Sequence, residues 1–140
     1  MKHLAVIICS VILVACGGEE TEGWATDDML VQPSEFAAGE KVYMGTCVAC
    51  HQKDGAGLAG AFPPLANSDY LLADKERAIE IAANGLEGEV TVNGEVYNTV
   101  MAPQGLSNKE VMEVVNYVLN SWGNEGGTVT MEQVDAIMNK

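Results

Sequence analysis

Residues 47–51 read Cys-Val-Ala-Cys-His, and no other stretch narrows the possible folds of this 140-residue chain as sharply. Two thiols three positions apart, with an imidazole directly behind the second, fit three chemistries. They could form a redox disulfide, half of a zinc site, or a covalent attachment point for haem. What surrounds the motif decides among them.

A redox Cys-x-x-Cys follows a strand in a βαβ setting. Here Phe36, Gly39, Tyr43 and Cys47 recur at spacings of three and four, the pattern of a helix face, with Ser34 placed to cap it. No parallel strands are predicted elsewhere. Zinc needs four Cys or His ligands. Beyond the first 15 residues the only histidine is His51, and the only thiols are Cys16, Cys47 and Cys50. Haem attachment fits. Thiols on one helical turn can add to the two vinyl groups of the macrocycle, and the next residue then brings its imidazole under the ring toward the iron. One motif implies one haem.

The N-terminus points to export, the setting in which such haem is attached. A short basic start (Met1, Lys2, His3) precedes an apolar run from Leu4 to Ala15. Twelve helical residues would span about 18 Å, short of the roughly 30 Å hydrocarbon core of a bilayer, so residues 1–15 read as a signal peptide. Leu13-Val14-Ala15-Cys16 resembles the bacterial lipobox, which makes Cys16 the expected site of lipidation and the new N-terminus. Gly17 rather than an aspartate after it favours an outer membrane over an inner one. Residues 16–33, acidic and without periodicity, read as a flexible tether in which Trp24 is the one tryptophan. Residues 34–140 are left as one domain.

Removing residues 1–15 takes Lys2 from the 7 basic side chains and none from the 20 acidic ones, so the exported chain is more acidic than the −13 of the whole. Nucleic acid and anionic headgroups are poor partners for such a surface, and a basic face on another protein is a good one.

Along the domain, the first helix runs into the motif, and QKDGAGLAGAFPPLANSDY after it reads as a long loop. A second helix is predicted over 74–84, capped by Asp74 and stopped by Gly85. Asn93-Gly94 between Val92 and Val96 predicts a hairpin with a type I′ turn within residues 86–100. Ser107 and Glu110 form a capping box for a third helix, with Val111, Val114, Val115, Val118, Leu119 and Trp122 as its apolar stripe and Gly123 as its end. Thr130 and Gln133 cap a short final helix carrying Val134 and Ile137.

With no second histidine after residue 15, the far side of the iron is open or held by a weaker donor. Of the seven methionines, Met1 is removed, Met29 lies in the tether, and Met44 sits on the same side as Cys47. Met112 belongs to a helix, and Met131 and Met138 to the tail. Met101 stands in a loop stiffened by Pro103, between hairpin and helix, and is the expected second ligand. Thioether sulfur is a soft neutral donor, and His/Met ligation raises the reduction potential. Such an iron exchanges electrons without changing coordination and keeps substrates out.

Residues from about 34 to 123 resemble a class I cytochrome c. The resemblance rests on GEKVYMGTCVACH, AFPPLANSDYL and VMAPQGLSNKEVMEVVNYVLNSWGN, and is closest in character to cytochrome domains that accompany terminal reductases, oxidases and quinoprotein dehydrogenases. It implies an all-α fold of three to four main helices wrapped around one covalent haem c, here with a small β-hairpin added. It also implies that Gly39 and Tyr43 cross the third helix near Val114 and Tyr117. The carbonyl of Pro63 or Pro64 should accept a hydrogen bond from His51. Tyr70 and Trp122 are expected either on the haem or in the core, and Leu58, Ala59, Ala61 and Phe62 at its exposed edge. The implied role is a tethered single-electron carrier between redox proteins, without a small-molecule substrate. A haem peroxidase or sensor with an open sixth site, and a fixed subunit of an oxidase, reductase or dehydrogenase complex, are the alternatives.

Overall fold

A computed structural model describes residues 35–139. The expected signal peptide, the lipidation site Cys16, the tether with Trp24 and Met29, and the Ser34 cap lie outside the described residues. Helix α1 (Ala37–Thr46) begins at Phe36, which provides no side-chain cap, and buries Gly39 and Tyr43. At Cys47 the chain turns into the short α2 (Val48–His51), the Cys47 N–H still bonded to the Tyr43 carbonyl at 2.9 Å.

Helix α5 (Asn108–Asn120) is the spine of the core. Its Ser107/Glu110 capping box is formed, and Val111, Val114, Val115, Val118 and Leu119 are all buried. Helix α1 packs across it at the point where Gly39 faces the Glu113 backbone carbonyl and the Tyr117 Cβ. The crossing therefore falls at Tyr117, as expected, with Glu113 rather than Val114 as the second contact. Tyr43, Tyr117 and Trp122 close that end with ring centroids 5.1 to 5.5 Å apart, tilted or edge-on as aromatic quadrupoles prefer.

Helix α4 (Lys75–Asn84) is capped by the Asp74 carboxylate, which accepts from the Arg77 N–H at 3.0 Å, and ends at Gly85. Before it lies a four-residue helix, α3 (Asp69–Leu72), capped by Ser68, inside the stretch read as loop. Helix α5 stops earlier than its apolar stripe suggests. Ser121 is its C-cap, and Trp122 (φ +55°) and Gly123 (φ +87°) turn the chain away. The following segment returns along α5 through Asn116, whose side-chain amide pairs with both the N–H (2.7 Å) and carbonyl (3.1 Å) of Val129. It leads into α6 (Met131–Met138), capped by Thr130 and Gln133. Buried Asn124 ties this turn to the loop after the Cys-x-x-Cys-His motif, bonding Asn67 N, Leu65 O and Val118 O.

The hairpin pairs β1 (Val90–Val92) with β2 (Glu95–Tyr97) antiparallel, Val92 opposite Glu95. Asn93 and Gly94 both have positive φ (+51° and +82°), as a type I′ turn requires. Its tip is fastened to α3. Asn93 N–H donates to the Asp69 carboxylate at 2.7 Å, and Asp69 N–H to the Asn93 side-chain oxygen at 3.0 Å. The fold is thus mainly helical, with four helices of eight residues or more among the described residues and one small hairpin.

Candidate functional site

The apolar faces of α2, α4 and α5, the loop after α2 and the hairpin meet around a cleft that is partly open to solvent. Protein interiors pack at crystal-like density with few voids larger than a water molecule. A cleft lined this extensively by apolar side chains, with few polar groups among them, suits an organic ligand.

Cys47, Cys50 and His51 enter it from one side, presented by the α1–α2 turn. His51 is buried (8% exposed). Its Nδ1 lies 3.0 Å from the carbonyl of Pro63, the proline that the expected pair left open. A carbonyl only accepts, so Nδ1 carries the proton and Nε2 keeps the lone pair needed to bind a metal. Burial pushes the His51 pKa down and the Pro63 carbonyl pulls it back only in part, so the ring is neutral near pH 7. The loop reaches this position by folding on itself: Leu58 and Phe62 exchange backbone hydrogen bonds of 2.8 Å in both directions. Burial also pushes the Cys47 thiol up, against the lowering by the Thr46 hydroxyl. Redox-active dithiols have the opposite, lowered pKa, and among the described residues no group of three or more Cys, His, Asp or Glu is placed to hold a metal ion.

Met101 lines the same cleft from the loop between the hairpin and α5. Its backbone is fixed by a two-way bridge to Leu86, 2.9 Å in each direction, which joins the loop to the end of α4. Gly85 makes the approach possible: it has φ +78°, and a Cβ there would lie 2.2 Å from the Met101 carbonyl oxygen. Sequence reading found Met101 but not this clamp, whose only trace is the glycine that stops α4.

All six residues expected at the site within the described chain, Cys47, Cys50, His51, Pro63, Pro64 and Met101, line this one cleft. Tyr70 and Phe62 line it as well. Trp122 does not. It packs on Tyr43 and Tyr117, and its Nε1 donates to the Lys53 carbonyl at 3.1 Å, so of its two expected places it takes the core. Leu58 stands out into solvent at 55% exposure, beside rather than within the cleft.

The residues fit a haem: an apolar cradle, two thiols one helical turn apart, a neutral imidazole oriented by a carbonyl, and a thioether. Fold and site together define a helical protein built around a covalently attached porphyrin. The Cytochrome c family signature matches residues 36–122, and the chain belongs to the cytochrome c family. It is accordingly an electron-transfer protein carrying covalent haem c, not an enzyme.

Among similar proteins, cytochrome c-552 of Thermus thermophilus is 38% identical over 92 residues, covering 62% of this chain and 70% of that protein. Cytochrome c-551 of Bacillus subtilis is 37% identical over 76 residues, 54% of this chain and 65% of its own length. The cytochrome c subunit of a quinone alcohol dehydrogenase from Gluconacetobacter polyoxogenes is 31% identical over 123 residues, 84% of this chain. The matched region is only 26% of that subunit. Among the described residues no helix is long and apolar enough to cross a membrane.

Proposed function

We propose that this chain is an exported, lipid-anchored, mono-haem cytochrome c that passes single electrons between redox proteins, with His51 and Met101 as the iron ligands. The carrying observation is that these two residues, 50 positions apart in sequence, line one apolar cleft with both cysteines of the motif. In this reading residues 1–15 are the signal peptide, 16–33 the tether and 34–140 the electron-carrying domain.

When bound, the haem supplies reversible one-electron exchange at its iron. The chain does the rest. Cys47 and Cys50 hold the ring by thioether bonds, and His51 is held in one tautomer by Pro63. Met101 contributes a neutral sulfur from a loop whose backbone is bridged in place. The walls of the cleft are mainly apolar, so they would offer few polar groups to reorganise when the charge changes.

The acidic surface, −13 over the whole chain, favours donors and acceptors with basic docking faces. Rising ionic strength should slow oxidation of the reduced protein by a cationic ruthenium ammine and speed its oxidation by anionic ferricyanide, because exposed charges are screened beyond about 10 Å at 0.1 M salt. Stopped-flow rates that ignore salt with both reagents would remove the electrostatic argument.

Anchoring through Cys16 rests on the lipobox-like sequence. Each buried methylene contributes about 0.8 kcal/mol, so several acyl chains hold firmly where one does not. Cys16→Ser should move the protein from the membrane fraction to the soluble exported fraction with its haem spectrum intact. Retention in the membrane after that change would exclude the lipid as anchor. The resemblance to dehydrogenase cytochrome subunits favours a second reading, permanent docking in such a complex, and co-purification from native membranes distinguishes it from a shuttle.

A further inference from the structure

Strand β2 carries an exposed carboxylate that reaches off the hairpin. Glu95 Oε1 accepts from the Gly60 N–H at 2.9 Å, 35 positions back in the chain. Its Oε2 accepts from the Tyr97 hydroxyl, also at 2.9 Å. Tyr97 is buried and lines the cleft, so the carboxylate is propped from its own strand. With a donor on each oxygen the group is fixed in place, and hydrogen bonds to an ionised acceptor are about twice as strong as neutral ones.

What the Glu95–Gly60 bond joins gives it a role. Gly60 (φ +72°) turns the loop closed by the Leu58–Phe62 bridge, and the residue after that bridge, Pro63, orients His51. Glu95 stands six positions before Met101, and Tyr97, Thr99 and Val100 line the cleft between them. Among the described residues no other hydrogen bond joins residues 58–62 to the hairpin. The other fastenings of this stretch lead elsewhere, the hairpin tip to α3 and Met101 itself to Leu86. We propose that Glu95 is a positioning residue for the sixth ligand: it straps the stretch that delivers Met101 to the loop that fixes His51, and so slows departure of the Met101 sulfur from the iron. This gives the hairpin its function, and it rests on the reading of His51 and Met101 as the iron ligands.

The test uses the ferric holoprotein and saturating imidazole, a neutral ligand that binds only once the Met101 sulfur has left. The rate at which the far-red band disappears then reports how often the strapped stretch opens. Glu95→Ala should raise that rate roughly fivefold, the factor that removing one modest hydrogen bond allows. Glu95→Gln, whose amide oxygen still accepts from Gly60, should stay near wild type. Glu89→Ala removes the same charge just before β1, at a side chain with no bond to the loop, and should stay there too. Loss of the band from Glu95→Ala before imidazole is added would be the same effect at its extreme. A Glu95→Ala rate equal to wild type overturns the proposal, and so does an increase matched by Glu95→Gln or by Glu89→Ala, which would assign it to charge. Glu95 is exposed, so alanine keeps the packing of the fold. Where that variant does not accumulate, Glu95→Asp, one methylene short of the contact with Gly60, is read in the same way. Failure of the ligand reading looks different, since wild type would then show no far-red band at the outset.

Discussion

Met101→Ala should lower the reduction potential of the holoprotein by a sizeable part of the roughly 0.8 V range that axial ligands set. It should also abolish the far-red ferric band that reports sulfur bound to iron. The thioether favours Fe(II) because it is soft and uncharged, and alanine offers no donor, leaving water or an open position. The fold should survive. Met101 is half-buried, and the bridge to Leu86 that sets its loop is made by backbone atoms, which alanine keeps. Met112→Ala is the matched control. That side chain packs against the core from α5 and does not line the cleft. Its loss should reduce stability, by no more than the 2–5 kcal/mol of a fully buried methionine, and leave the spectrum alone. If Met101→Ala keeps the far-red band and the potential, another residue is the ligand.

What the sequence made legible was whatever local chemistry decides. The Ser107/Glu110 and Thr130/Gln133 boxes, the Asp74 cap and the Asn93-Gly94 turn depend on residues within four positions of one another, and all formed. Four of the six expected cleft residues could be read from the residues themselves, Cys47, Cys50 and His51 from the motif and Met101 by elimination among the methionines, while Pro63 and Pro64 were named only through the family resemblance. Features made by distant contacts were not legible. Helix α3 has four residues, too few for a period to show, and owes its place to the Ser68 cap and the Asp69–Asn93 exchange with the hairpin tip. Trp122 sits three residues after Leu119 and so extends the apolar stripe on paper. The helix ends at Asn120, however, and a positive φ swings the indole onto Tyr43 instead. Arg77 of α4, whose side chain also lines the cleft, drew no notice because one cation in a helix reads as surface charge until the cleft beside it is seen.

Gly39→Ala should be the most disruptive small change in the fold, against the usual preference of helices for alanine. The added methyl gains up to about 1 kcal/mol of helix propensity. At this position its carbon would lie 2.0 Å from the Glu113 carbonyl oxygen and 2.7 Å from the Tyr117 Cβ, neither of which is the yielding end of a flexible side chain. The two helices must part. Overpacking of that kind typically costs 1–3 kcal/mol and occasionally more. A backbone contact this close belongs at the upper end, so a net loss of about 2–3 kcal/mol is expected in denaturant unfolding of the holoprotein. Gly45→Ala in the same helix is the counter-test, since nothing lies within 4 Å of a Cβ there; it should stabilise by up to about 1 kcal/mol. The consequence reaches the site, because α1 runs directly into Cys47, Cys50 and His51 while α5 supplies Val114, Val115 and Val118 to the opposite wall. Separating α1 from α5 displaces the motif carried at the end of α1 relative to that wall of the cleft. Gly39→Ala should therefore weaken the far-red ferric band as well as stability, while Gly45→Ala leaves it unchanged. Equal stability for the two variants would mean that the helices do not cross at Gly39.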